Sequence, residues 1–328
     1  MALVAGTTHT YNQSGLREDL YDVISNISPT ETPFQTNIEK RGAKTRYHEW
    51  LVDSLATAAN NQQLEGDDAS FATAVTVTRM GNYTQIMRKT FLVSGTLEAV
   101  DKAGRKSEVK YQLMKAGKEI IRDLETALTN SNAGSAGGIA TARQMTGVEA
   151  FIPTTDNGGN GVRMADTTGS TSSWGQTTAH VVVDPTAASG KPITSTQLLT
   201  ALQLAWADGG DIDVIMTGPT TRRTIRTFGN LATNQIQLNK SGEAAKLIDT
   251  VEIYVSDYGK HKLVLNRFSR DQTALCLDMS TWAMATLRPM ETKTLAVTGD
   301  AEKRMIVMEA TLVCKNPDAN AKVIGCSA

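Results

Sequence analysis

The sequence predicts an α+β protein built along one long helix. Three observations carry this: residues 95–131 hold a single sustained amphipathic pattern, strand character lies before it (45–56 and 71–93) and returns after it (251–314), and the composition is rich in Thr with only 5% aromatic residues. A Thr-rich, aromatic-poor chain suits pleated strands and solvated loops better than a compact helical core.

Length and charge narrow the classes. At roughly 150 residues per domain, 328 residues make one or two domains. The 33 basic and 34 acidic side chains leave a net charge of -1, which offers a polyanion no global attraction, so a dedicated nucleic-acid binder is not expected. No stretch reaches the ~18 uncharged apolar residues of a bilayer span, and MALVAGTTHTYNQSG lacks the basic and apolar regions of a secretion signal. A soluble chain made and kept in a cytoplasm is the expectation. Cys276, Cys314 and Cys326 are odd in number and without metal-ligand spacing, so they read as reduced thiols.

Taken in order, GLREDLYDVISNI predicts a short helix, stopped by Ser28-Pro29-Thr30-Glu31-Thr32-Pro33, whose two prolines force extended backbone. This beginning is an arm without a core. Strands over 45–56 and 71–93 flank the polar tip Asn60–Ser70, which makes 44–93 a long hairpin that needs a partner surface. In the helix over 95–131, Leu97, Val100, Val109, Leu113, Ala116, Ile120, Leu124 and Leu128 face a core, and Lys110, Lys115, Lys118, Arg122 and Glu125 form the solvated back. The part after Gly104 alone would be about 40 Å long. Residues 154–180, dense in Gly, Thr, Ser and Asn, read as an exposed excursion. A capped helix over Ser195–Asp208, a strand Ile212–Met216 and a Pro-started helix Pro219–Phe228 follow. Strands are then expected at 251–255, 262–266, 274–277, 282–287, 293–297 and 305–314.

Few residues offer chemistry. His9, His48, His180 and His261 stand alone in their segments, and no nucleophile elbow, zinc-protease, P-loop or EF-hand motif occurs. The most enzyme-like stretch is Asp211–Arg223, where free N–H groups at Thr220 and Thr221 after Gly218 would suit a phosphate, though ordinary capping explains the same residues. Glu65, Asp67 and Asp68 make an incomplete metal shell and read better as a solvated turn or as charge for a neighbouring subunit. Asn12 and Asn82 match glycosylation acceptors by chance. No catalytic residue, cofactor or metal is expected.

This order of elements, an arm, a hairpin, a long helix, then a mixed domain and returning strands, resembles the HK97-fold major capsid proteins of tailed phages. GLREDLYDVISNISPTETPFQTNI and STQLLTALQLAWADGGDIDVIMTGPTTRRTI are similar to the SU10-type branch of those head proteins. The resemblance implies an N-terminal arm (1–43), an extended loop (44–93), a peripheral domain with a spine helix (94–150 and 283–328), the excursion (151–189) and an axial domain (190–282). It implies a virion shell protein, made in the host cytoplasm, that closes hexamers and pentamers around double-stranded DNA touched only weakly and without sequence preference. Scaffold, portal and cement proteins are the partners such a shell would call on; a membrane is not. Inter-subunit contacts are expected at Trp50, Leu64, Glu65, Asp67, Asp68, Phe71, Arg88, Arg222 and Arg226. In the founding member a loop lysine is joined covalently to a neighbour's asparagine; here no lysine lies between Leu51 and Met87, so a shell without cross-links is expected. Two other readings stay open, a phosphate-binding α/β enzyme at the Gly218 turn and an accessory virion protein.

Overall fold

The computed structural model of the chain describes residues 28–152 (except 54, 57, 67, 69, 70 and 72–76), 161–163, 192–228 and 253–326. The expected helix over 15–27 and most of the excursion lie outside these residues. The end of the arm does not hang free. Helix α1 (Pro33–Asn37) starts on a proline and sets Phe34 fully inside the main core, and β1 (Glu39–Gly42) pairs in parallel with a strand near the far end of the chain, β10 (Trp282–Thr294).

The expected hairpin over 44–93 is divided. β2 (Tyr47–Val52) pairs antiparallel with β3 (Thr78–Tyr83) as a separate two-stranded ribbon. β4 (Gln85–Ser94) leaves it to pair with β11 (Ala301–Cys314), so the main sheet runs β1-β10-β11-β4. The switch is fixed at Thr84, whose N–H donates to the Arg46 carbonyl at 2.8 Å and whose hydroxyl donates to buried Glu309 at 2.7 Å. Met80, Met87 and Val93 are buried, so the ribbon's base and β4 belong to the chain's own core.

The long helix is also divided. α2 (Gly95–Ala99) ends before Gly104, which sits at φ 74, and Ser107 opens α3 (Glu108–Thr129) by accepting from the Lys110 N–H. A left-handed glycine followed by an N-cap serine stops one helix and starts the next. α3, about 33 Å long, packs Ala116, Ile120, Leu124 and Leu128 on the main sheet. α4 (Val148–Phe151) then buries Phe151, so residues 151 and 152 are core and not excursion.

The second sheet runs β5-β12-β9-β6-β8-β7, from β5 (Gly161–Arg163), β6 (Val214–Thr217), β7 (Ile253–Ser256), β8 (Gly259–Leu265), β9 (Thr273–Leu277) and β12 (Ala321–Ile324). Its faces alternate. Ile215, Leu263, Cys276 and Val323 meet helix α5 (Ser195–Ala207), which a Thr194–Gln197 capping box opens, and the short α6 (Pro219–Ile225). Val214, Met216, Leu275 and Leu277 meet the first core. Strands covered on both faces read as unbroken apolar runs, and VIMT and TALCL do. β12 thus joins the second sheet, whereas the resemblance implies that 283–328 belongs with the first. β10 is one strand where two were expected; Leu287, Pro289 and Met290 fall in bulges that spare a proline the ladder bond it cannot donate.

Candidate assembly surfaces

The ribbon carries the most conspicuous exposed apolar surface. Beyond its paired part, Leu55, Leu64 and Phe71 are 98%, 80% and 99% exposed. Covering a Leu or Phe side chain is worth about 1.5–3 kcal/mol, which leaves these three as strong ligands for another surface. Between Leu51 and Arg79 stand Asp53, Glu65, Asp67 and Asp68 and no basic residue. Glu65 and Asp68 are exposed at the tip, where Gly66 turns at φ 84; Asp67 lies outside the described residues. The loop's charges are therefore all acidic, and Leu55, Leu64 and Phe71 stand exposed among its polar residues.

Its base is stiff. Tyr47 and Tyr83 pack ring to ring at 4.5 Å, and the Tyr47 ring lies over Gly81 so closely that a Cβ there would stand 2.6 Å from Cζ. Asn82, glycosylation-like in sequence, is buried: its amide nitrogen donates to the Leu312 carbonyl and its oxygen accepts from the Thr146 N–H, both at 2.9 Å. Trp50 is half-buried, packed against Phe151 at 6.2 Å at the edge of the chain's own core. Arg88 is exposed, on the sheet face that also shows Ile86 and Leu92.

Two buried carboxylates tie the elements together. Glu309 on β11 receives Arg143 at 2.6 Å, Arg288 at 2.9 Å and Thr84 at 2.7 Å. Glu125, expected on the solvated back of the helix, is instead enclosed: it accepts from the N–H groups of Phe34 and Gln35 at 2.8 and 2.9 Å and from the Asn266 amide at 2.7 Å. One side chain thereby caps α1, anchors the arm to α3 and grips the loop after β8. Burial holds its carboxyl above the usual range, with the three donors pulling the other way. A folded-state value above the ordinary 4.5 means the native state takes up the proton first, so this contribution is fully present below about 4.5 and fades as pH rises through the folded value. The stability of the wild type relative to Glu125→Gln should therefore grow as pH falls from 7 toward 4.5 in parallel urea titrations. A difference that shrinks over that range would contradict this.

The enzyme-like features are spent internally. Thr220 and Thr221 donate their N–H groups to Asp271 Oδ1 at 2.9 and 3.3 Å, filling the place a phosphate would take. Gly218 is required by that contact, since a Cβ there would stand 2.3 Å from the same oxygen. Arg222 turns inward to the Leu263 carbonyl at 3.1 Å, whereas Arg226 is exposed. His261 is buried, donating from Nδ1 to the Ile212 carbonyl at 2.6 Å and accepting from Ser256 at Nε2, 2.7 Å away, which closes the β7–β8 turn. His9 and His180 lie outside the described residues. No helix among the described residues is long and apolar enough to cross a membrane.

Glu125, Glu309 and Asn82 escaped the sequence because their partners lie far along the chain. The family model described as SU10 major capsid protein matches residues 3–327. The major capsid protein of Escherichia phage Phieco32 is 28% identical over 344 residues, covering 95% of this chain and 94% of its own. Among solved structures, the capsid of a native GTA particle superposes with a TM-score of 0.67 at 10% identity, covering 99% of this chain and 100% of that one. The capsid of cyanophage A-1(L) gives 0.62 at 13%, covering 95% and 98%.

Proposed function

This chain belongs to the SU10 major capsid protein family, and we propose on that premise that it closes hexamers and pentamers into the icosahedral head of a phage around double-stranded DNA. The observation that supports this most is the acidic loop after β2, whose Leu55, Leu64 and Phe71 are left uncovered by the described residues. A symmetric array of copies supplies that cover without a second kind of protein. We assign residues 53–77 as the extended loop, the main sheet with α1 to α4 as the peripheral body, and the second sheet with α5 and α6 as the axial body. The loop's carboxylates and Arg88 then serve contacts between copies, and exposed Arg226 adds a cation at the axial body. The work is contact and enclosure, with no bond made or broken on a substrate. Electron micrographs of the expressed full-length chain test this reading.

The shell holds without covalent cross-links. Lys44 and Lys89 are the lysines nearest the loop; Lys89 pairs with Asp123 of α3 at 2.7 Å, at the base and far from the tip. A lysine joined to a neighbour's amide must reach that amide with a free amine, and Lys89 is held against Asp123 of its own chain. Particles boiled in detergent and reductant should run as one band near 35.2 kDa; a ladder of oligomers would contradict the claim.

A further inference from the structure

The outward face of α3 presents cations that have no ion-pair partner among the described residues. Lys110, Met114 and Lys118 follow one another at i, i+4 and i+8, and Lys115 and Arg122 flank them. Lys110, Lys115 and Lys118 are exposed, and none makes an ion pair with a described residue. Other cations of the same body are paired: Lys89 with Asp123, and Arg143 and Arg288 with Glu309. Arg122 stacks over Phe268 at 5.6 Å, and its buried Nε–H has no acceptor among the described residues. Met114 is the one large apolar side chain among them, too little for a dry protein contact.

We propose that this face of α3 binds the phosphodiester backbone of the packaged duplex, which places the helix on the inner side of the shell. The proposal rests on the capsid reading above. Lys110 and Lys118 are about 12 Å apart along the helix axis. Duplex DNA carries a charge every ~1.7 Å of its axis, so the stripe meets phosphates in any register and reads no sequence. Three ammonium groups each displacing one counterion give a contact that is local and easily screened. This reconciles DNA contact with a net charge of -1.

The test compares the full-length, unassembled protein with its Lys110→Gln/Lys115→Gln/Lys118→Gln variant, by fluorescence anisotropy on a labelled 20-base-pair duplex between 50 and 200 mM salt. These are exposed helix positions, where glutamine keeps the helix. The variant's plot of log affinity against log salt should be shallower by about 2–3, at ~0.9 per phosphate contact. Over that fourfold salt range the three contacts account for roughly a 40-fold loss of wild-type affinity. Equal slopes overturn the proposal, as does wild-type protein that does not bind at 50 mM. A variant with unchanged slope that no longer forms shells would assign the stripe to a subunit contact, such as a second copy's acidic loop. Failure of the wild type to form shells counts against the capsid reading and leaves the slope comparison standing.

Discussion

Removal of residues 58–70 should leave a folded, soluble chain that closes no shells. The segment carries Leu64, 80% exposed, with exposed Glu65 and Asp68, and none of the three contributes to either hydrophobic core. The ribbon beneath is fixed from inside by Tyr47 against Tyr83 and by the buried Asn82. The residues remaining between β2 and β3 are ample to close the turn, and shortening a loop changes its closure entropy by only a few tenths of a kcal/mol to about 1 kcal/mol. The unfolding midpoint should therefore hardly move while assembly is lost. Shells of normal size from the shortened chain would show that the contacts lie elsewhere.

Trp282→Ala is expected to have the largest effect on stability. Trp282 is fully buried at the start of β10, edge-on to Phe34 of α1 and Phe151 of α4 with ring centroids 6.1 Å away in each case, and its Nε1–H donates to Asn320 at 2.8 Å. Those partners come from the arm, from the segment after α3 and from the loop before β12, so one indole joins three stretches of chain. Truncating a buried Trp costs about 3–5 kcal/mol, and the upper half of that range applies because Phe34 and Phe151 both lose a face. Trp282→Phe keeps most of the ring contact and should lose about half as much. Urea unfolding of the unassembled chain measures both; a loss under about 1 kcal/mol for the alanine variant would mean that the surroundings close over the gap.

Much of this was legible along the sequence, and the failures share one physical origin. Periodicity placed α3, α5, β6 and β9 because each buries a regular face, and Gly104 with Ser107 carried the information that divides the long helix. What periodicity cannot carry is a partner. Strand character runs unbroken through 78–93, yet pairing changes at Thr84, which donates to the Arg46 carbonyl and to Glu309. Glu125 lies on the same side of the pattern as Lys118 and Arg122, yet it is buried because α1 folds back over it. Pro289 broke the reading of β10, whereas a bulge lets one strand run past it. The loop's acidic tip was identified from composition, since it needs no fold to be polar. Trp50 and Arg222 also make contacts inside the chain, with Phe151 and with the Leu263 carbonyl, that no local pattern signals.

The central claim, that this chain is a shell-forming capsid subunit whose exposed loop is covered by its own copies, is tested most directly by cryo-electron microscopy of the full-length protein expressed alone or with its companion head proteins. Closed icosahedral particles should appear, with residues 53–77 of each subunit lying against a neighbour and Phe71 buried in that contact. Particles in which Phe71 stays solvent-exposed, or only fibres, sheets and monomers under every such condition, would contradict it.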